Sequence, residues 1–296
     1  MINPKNKWRR YNTPLGICIN EKCETVISKY LIPNYQGQIQ LIFTSPPFPL
    51  NRAKKYGNLM GDEYKKWLCD VVKSMLPLLT EDGSIVIEIG NAWNYGEPTF
   101  STLPMETLLS IKNECGLSLC QEFIYYNPAR LPSPIQYVNI DRIRVKDSFT
   151  RVWWFSRSAN PKANNRNVLK QYSKQMKKLL ETGQYNAGER PSEHSISETA
   201  FNNDNGGAIP SNVIIASNTN SRDPYLLRCK ENGIKIHPAR MPFEVPRFFI
   251  NLLTDENDIV MDCFAGSNTT GYCAEEAKRR WISVEADKDY YMGSKY

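Results

Sequence analysis

The fold class is decided by one stretch near the C-terminal end, Ile259-Val260-Met261-Asp262-Cys263-Phe264-Ala265-Gly266-Ser267-Asn268-Thr269-Thr270. Its first four residues predict a buried strand that ends in a carboxylate, and the next six predict a tight loop of mostly small side chains. Residues 269–280 then predict a helix, and residues 281–285 predict a second strand that ends at Glu285. This succession is a βαβ unit, the building block of a parallel sheet.

The βαβ unit also has the features of a nucleoside site. Small residues after a strand let the backbone approach a ligand, and the first turn of the next helix offers unpaired N–H groups. Glu285 follows Asp262 by 23 positions, so its carboxylate can accept hydrogen bonds from ribose hydroxyls. Gly266 is the lone glycine of the loop, which disfavours a diphosphate such as that of NAD and favours S-adenosylmethionine. A plain crossover with a polar turn is the alternative.

The same alternation of strands and helices extends over most of the chain. Short apolar runs are separated by segments whose apolar residues recur every three or four positions. We therefore expect an α/β fold, with a mostly parallel sheet and helices on both faces. Strands are expected at 40–43, 84–90, 119–126, 151–155, 258–262 and 281–285, a turn at 81–83, and helices at 62–79, 104–115, 242–253 and 269–280.

Residues 157–236 differ in character from the rest. They are rich in Asn, Ser, Lys and Gly, and one helix is expected there, at 168–182. The segment 151–240 contains 14 Lys and Arg residues against seven Asp and Glu residues, whereas the whole chain has a net charge of +6. Concentrated positive charge favours a phosphate backbone as ligand, and a solvated basic face is the alternative. We expect a catalytic domain in two parts, 1–156 and 237–296, with a loop-rich lobe at 157–236.

A second motif, Thr44-Ser45-Pro46-Pro47-Phe48, follows the strand expected at 40–43. Ligands of open α/β sheets bind beyond the carboxyl ends of the strands. Two prolines fix the backbone there, and they would direct the Ser45 hydroxyl and a proline carbonyl at an exocyclic amine. Phe48 would stack on a base that has been flipped out of a duplex. The alternative is a strand that ends at proline and whose serine caps a helix.

Together the motifs resemble those of the β-class amino DNA methyltransferases, specifically their cytosine-N4 branch. Residues 44–48 resemble the catalytic tetrapeptide, and residues 262–270 resemble the cofactor loop. His237-Pro238-Ala239-Arg240-Met241-Pro242 resembles the motif before that loop, and residues 81–91 resemble a further core strand. The catalytic motif precedes the cofactor loop, with a variable segment between them, which is the order of the β class. Cys263 stands where many relatives have proline, and Asn268 where many have glycine.

The resemblance implies a Rossmann-like S-adenosylmethionine-dependent methyltransferase fold, in which 157–236 is an inserted target-recognition lobe. It implies S-adenosylmethionine as cofactor and no metal. The implied catalytic residues are Ser45, Pro46, Pro47 and Phe48. The implied cofactor-binding residues are Thr44, His237, Pro238, Asp262, Phe264, Ala265, Gly266, Ser267, Asn268, Thr269 and Glu285.

The expected reaction is methylation at N4 of a flipped cytosine in double-stranded DNA, as in a restriction-modification system. Adenine-N6 methylation by the same fold and a catalytically inactive nucleic-acid-binding module are the alternatives. Methylation at cytosine carbon 5 needs a cysteine nucleophile, which normally follows a proline in a mobile loop. No Pro-Cys pair occurs, and Cys263 lies inside the cofactor loop.

The composition bears on location and partners. No apolar run reaches the length of a membrane span, and the first residues lack the apolar stretch of a signal peptide, so we expect a cytoplasmic protein. The eight cysteines include no Cys-x-x-Cys pair, which disfavours zinc.

A companion restriction endonuclease is consistent with the resemblance, and the oligomeric state stays open, a monomer included. Contacts to DNA phosphates, or simply surface charge, are expected for Arg130, Arg142, Arg144 and Lys146.

Overall fold

The computed structural model describes residues 8–49, 59–183, 188–189, 191, 195–197 and 202–295. The chain forms two compact units. The larger consists of Met1–Ala163 with Asn212–Tyr296, and the smaller of Asn164–Ser211. No helix among the described residues is long and apolar enough to cross a membrane.

The larger unit is built on a single sheet of nine strands among the residues described. They run in the spatial order β1-β2-β11-β10-β3-β4-β6-β5-β9. Their bounds are β1 Arg9–Asn12, β2 Gly16–Asn20, β3 Ile39–Thr44, β4 Leu79–Gly90, β5 Ser118–Tyr126, β6 Phe149–Ser156, β9 Val213–Ile215, β10 Ile259–Asp262 and β11 Arg280–Glu285. Strands β7 (Gly188–Glu189) and β8 (Ser195–Ile196) pair with each other in the smaller unit.

The strand directions agree with the expected mostly parallel sheet. Strands β2, β11, β10, β3 and β4 are successive parallel neighbours, and β9 is parallel to β5. Only β1 and β6 run antiparallel to their neighbours. Strand β6 is the aromatic strand of the sequence, and it returns between β4 and β5, so the loop at 127–148 lies at the same end of the sheet as the carboxyl end of β4.

Helices cover both faces of this sheet, as the sequence predicts. Phe43 of β3 and Phe123 of β5 both contact the ring of Phe249. The neighbouring Ile42 belongs to the cluster of buried residues that includes Leu68, because successive strand residues point to opposite faces. The helices of this unit are α1 Cys23–Val26, α2 Ile32–Tyr35, α3 Gly61–Met75, α4 Leu103–Glu114, α6 Pro224–Glu231, α7 Glu244–Leu253, α8 Thr269–Glu276 and α9 Lys288–Gly293, with π-helical turns at Ile27–Leu31 and Gln136–Ile140.

Several element boundaries differ from the sequence-based prediction. Helix α3 ends at Met75 rather than at residue 79, because Pro77 follows in a 3₁₀ turn and has no N–H to donate. The turn expected at 81–83 lies inside β4, whose register against β3 shifts there as in a β-bulge. Helix α8 ends at Glu276 rather than at residue 280, and the chain turns at Lys278 with φ 59°.

The smaller unit contains helix α5, Lys174–Thr182. The Ser173 hydroxyl caps its first turn and Gly183 ends it in the left-handed region, so it is shorter than the helix expected at 168–182. The unit also ends earlier than residue 236. Residues 213–215 pair with β5, and α6 packs against α9 of the larger unit. The smaller compact unit, Asn164–Ser211, thus lies within the segment 157–236 expected to form the lobe.

Candidate active site

The two sequence motifs meet at one edge of the sheet. Strands β11, β10, β3 and β4 are parallel neighbours, so their carboxyl ends lie side by side. Thr44 at the end of β3 donates a hydrogen bond of 2.8 Å from Oγ1 to Oδ1 of Asp262 at the end of β10. Residues separated by more than two hundred positions in sequence thus form one site.

Asp262 holds the loop in place. Besides Thr44, its carboxylate accepts hydrogen bonds from the Phe264 N–H at 3.0 Å and the Thr270 hydroxyl at 2.7 Å. The side chain is buried, and burial raises the pKa of Asp262 although these three hydrogen bonds oppose the rise. One buried carboxyl group therefore fixes the end of β3, the loop and the first turn of α8.

The loop residues divide into two groups. The side chains of Asn268, Ser267 and Thr269 are buried and take part in hydrogen bonds within the protein. The Asn268 amide donates to the Tyr11 hydroxyl at 2.9 Å and accepts from the Ser283 hydroxyl. A ligand bound at this loop would therefore contact the backbone of Asn268 and not its side chain. Phe264 is half-buried and contacts Trp67, whereas Ala265 is buried.

Glu285 lies at the end of β11 beside this loop. Its two carboxylate oxygens accept hydrogen bonds from the N–H groups of Gly266 and Asp287, each at 2.7 Å. Burial raises the pKa of Glu285 to about 7, and these two hydrogen bonds limit the rise. Glu285 forms no ion pair with a described Lys or Arg side chain, and a half-buried carboxylate of this kind is a strong acceptor for a ligand hydroxyl.

His237 lies over the same loop. A Cβ atom at Gly266, which has φ +53°, would come within 3.3 Å of the His237 Nε2 atom. The His237 ring meets the ring of Tyr290 edge-on, with centroids 4.4 Å apart, and its backbone N–H donates to the Tyr225 hydroxyl. Burial lowers the pKa of His237 to about 4, so the ring is neutral at pH 7. Pro238 follows on the exposed surface.

Ser45 of the catalytic motif has an acidic partner on β4, Glu88, to which the sequence analysis assigned no role. The Ser45 hydroxyl donates to Oε2 of Glu88 at 2.6 Å, and the Thr150 hydroxyl donates to Oε1 at 2.8 Å. Glu88 is buried on β4, and burial raises its pKa although both hydroxyl groups oppose the rise. An acidic residue within the apolar run 84–90 was the available signal.

The remaining residues of the motif follow Ser45 beyond the carboxyl end of β3. Phe48 is half-buried, and a side chain at position 90 would collide with its ring, so Gly90 is required for Phe48 to lie there. Pro46 is buried and Pro47 is half-buried. The structure thus brings Ser45, Phe48 and the loop at 263–268 to the same edge of the sheet.

The surroundings of Cys263 are not those of a cysteine nucleophile. Its side chain is 2% exposed, and its sulfur lies 3.5 Å from that of Met75. All eight cysteines are free thiols. Within the described part of the chain, no three His, Cys, Asp or Glu side chains form a group that could hold a metal ion.

The comparison with known proteins agrees with this geometry. A family model described as DNA methylase, for N6 and N4 methyltransferases, matches residues 39–295. The chain belongs to this DNA methylase family. The type II methyltransferase M.PvuII of Proteus hauseri is 45% identical to it over 260 residues, which are 87% of this chain and 77% of that protein.

Solved structures of related proteins share the fold. The structure titled PvuII DNA methyltransferase (cytosine-N4-specific) has a TM-score of 0.76 and 36% identity, and covers 96% of this chain and 86% of that one. The M1.HpyAVI–SAM complex has a TM-score of 0.57 and 17% identity, and covers 94% and 96%. The Rossmann-like methyltransferase fold expected for this DNA methylase is confirmed.

Proposed function

We propose that this DNA methylase transfers a methyl group from S-adenosylmethionine to N4 of a cytosine in double-stranded DNA. The observation that carries the proposal is the hydrogen bond between Thr44 and Asp262, because it joins the residue before Ser45 to the first residue of the loop expected to hold the cofactor. The similarity to M.PvuII supports the cytosine-N4 assignment and a role in a restriction-modification system.

The residues around Ser45 suit an amine acceptor. The lone pair of an exocyclic amine is delocalised into the ring, so acceptors on its hydrogens must draw the nitrogen toward a tetrahedral geometry. Because the Ser45 proton is directed to Glu88, the lone pairs of Oγ stay available to accept from the amine. The Pro46 carbonyl is the proposed second acceptor, and Phe48 stacks on the flipped base. After transfer, the surplus proton of the nitrogen passes through Ser45 to Glu88 or to water.

The loop at 262–269 and Glu285 fit S-adenosylmethionine, which supplies an electrophilic methyl group when bound. Glu285 has acceptor capacity beyond its two backbone donors, as a ribose diol requires. Gly266 leaves the loop without a side chain next to His237, where backbone can approach the cofactor. We assign the other expected contacts to Thr44, Phe264 and Pro238, and to the backbone of 265–269.

Affinity for S-adenosylmethionine is expected to rise with pH through about pH 7. The pKa of Glu285 is raised to about 7, and its ionised form accepts ribose hydroxyls better than the protonated form. We expect affinity to fall about tenfold from about pH 8 to about pH 6, measured by titration calorimetry. His237, with its pKa of about 4, does not titrate in this range. A pH profile that keeps the same slope in Glu285→Gln would contradict the assignment.

The DNA itself is proposed to bind along the basic region. The segment 157–236 is assigned to target recognition. Four lysines are candidates for phosphate contacts, Lys170, Lys174, Lys177 and Lys178, and the last three are exposed on helix α5. A companion restriction endonuclease and a cytoplasmic location complete the proposal.

The decisive experiment is methyl transfer from labelled S-adenosylmethionine to unmethylated plasmid DNA, followed by nucleoside analysis. Label in N4-methylcytosine is the expected result. Label in N6-methyladenine would keep the mechanism and overturn the base assignment, an outcome that the family model for N6 and N4 enzymes makes the main competitor. No label with any DNA, despite cofactor binding, would favour an inactive nucleic-acid-binding protein.

A further inference from the structure

The loop between β5 and β6, residues 127–148, has a surface that the site described above does not use. The loop contains four Lys and Arg residues and two Asp residues. Five large aliphatic side chains are exposed among them, namely Leu131 (80%), Ile135 (65%), Ile140 (63%), Ile143 (51%) and Val145 (86%). Single exposed apolar residues are ordinary, but a group of them among cations fits a partner with an anionic exterior and an apolar interior, as in a base stack.

This loop begins and ends beside the catalytic motif. The Arg130 guanidinium donates to the Phe149 carbonyl at 3.0 Å, and the Asn91 amide donates to the same carbonyl and to Asp147. The next residue, Thr150, donates a hydrogen bond to the Glu88 carboxylate, which also accepts one from the Ser45 hydroxyl. The ends of this loop are therefore tied through Thr150 and Glu88 to Ser45, the residue that a flipped base must reach.

Leu131 directly follows a turn, residues 127–130, that is firmly held. The Asn127 side chain and carbonyl accept from the N–H groups of Ala129 and Arg130, at 3.0 and 3.2 Å. The Lys146 ammonium donates to the carbonyls of Pro128 and Arg130, at 3.0 and 3.3 Å. Pro132 further restricts the backbone after Leu131. An apolar side chain next to a fixed turn is preorganised, since no ordering of the turn is needed when a partner binds.

We propose that Leu131 enters the DNA duplex and fills the position that the target cytosine leaves. Arg142 and Arg144 contact the phosphates on either side, while Lys146 holds the turn. This inference rests on the proposed function, because it requires a base that leaves the stack. Flipping a base breaks its stacking, and an inserted aliphatic side chain replaces part of that contact. A second copy of this chain is a poorer occupant, because two such loops would bring like charges together.

The test uses two synthetic duplexes that contain the methylation site mapped on plasmid DNA. In one the target cytosine is paired with guanine, and in the other it lies opposite an abasic position, which makes flipping easier. Leu131→Ala is expected to lower kcat/KM about tenfold on the paired duplex and by less than about twofold on the abasic duplex. Leu109→Ala on α4, where the leucine is also exposed (53%), is the matched control and should change neither rate.

Other outcomes overturn the proposal in distinguishable ways. Equal losses on both duplexes would mean that Leu131 only supports the loop, and unchanged rates would remove it from the reaction. Unchanged rates with a shift in sedimentation would identify the loop as a contact between copies of the chain. If the wild type methylates no DNA, the proposed function fails, and binding decides the inference instead. Tighter wild-type binding to the abasic duplex than to the paired one, lost in Leu131→Ala, would support it, and equal binding would overturn it.

Discussion

Replacing Ser45 by alanine is expected to lower kcat for methyl transfer to DNA by about 100- to 1,000-fold, the usual effect of removing one preorganised hydrogen bond from a transition state. The Ser45 hydroxyl is fixed by Glu88 at 2.6 Å, so its orientation is established before the substrate binds. Among the contacts described, the Ser45 side chain bonds to Glu88 and not to the loop at 263–268, so affinity for S-adenosylmethionine should stay within about twofold.

Single-turnover methylation of duplex DNA, together with calorimetric titration of the cofactor, separates these two effects. Ser74→Ala is the matched control, since the Ser74 hydroxyl bonds only within its own helix, to the Val71 carbonyl, among the contacts described. A loss of cofactor affinity equal to the loss of rate would show that Ser45 supports the binding loop rather than the reaction.

The role of Glu88 can be separated from its burial by a double-mutant cycle. Glu88→Gln keeps the shape of the side chain but allows an amide N–H to occupy the Ser45 lone pair. If Glu88 acts through Ser45, the losses from Glu88→Gln and Ser45→Ala will not add. Additive losses would mean that Glu88 acts independently, for example by holding Thr150 at the start of β6.

The fold was largely predictable because its signal is local. The strand at 259–262, the loop and the carboxylate at 285 stand close together in sequence, and their polarity pattern alone predicts a βαβ unit. The antiparallel direction of β6 was not predictable in this way, because an aromatic strand looks the same in either direction. Strand β9 was missed as well, since three residues at a sheet edge carry too little periodicity.

The candidate site was predictable where a motif carries the chemistry, and less so where tertiary contacts do. Ser45, Asp262 and Glu285 were chosen from their places at strand ends, and the structure brings these three to one edge of the sheet. Tyr11 and Glu88 were not assigned, because their significance depends on partners far away in sequence. Asn268 was expected at the cofactor, but a loop sequence cannot show that its amide turns inward.

Replacing Asp262 by alanine is expected to affect both stability and cofactor binding. Its buried carboxylate accepts from Thr44, Phe264 and Thr270, and alanine would leave these three donors without their acceptor. Leaving buried donors unsatisfied should cost about 3 kcal/mol in the free energy of unfolding. Since the same bonds fix the loop that precedes α8, affinity for S-adenosylmethionine should fall about 100-fold or more, by the usual effect of losing preorganisation.

Urea unfolding and calorimetric titration test the two parts of this expectation. Asp262→Asn should lie between the wild type and Asp262→Ala, because its carbonyl oxygen still accepts while its amide group opposes a donor. Asp70→Asn is the matched control, since Asp70 forms an exposed ion pair with Lys66, and such pairs contribute at most about 1 kcal/mol. If Asp262→Ala unfolds at lower urea but binds the cofactor normally, then Asp262 stabilises the sheet without shaping the loop, and the positioning of the methyl donor must depend on Glu285 and on the backbone after β10.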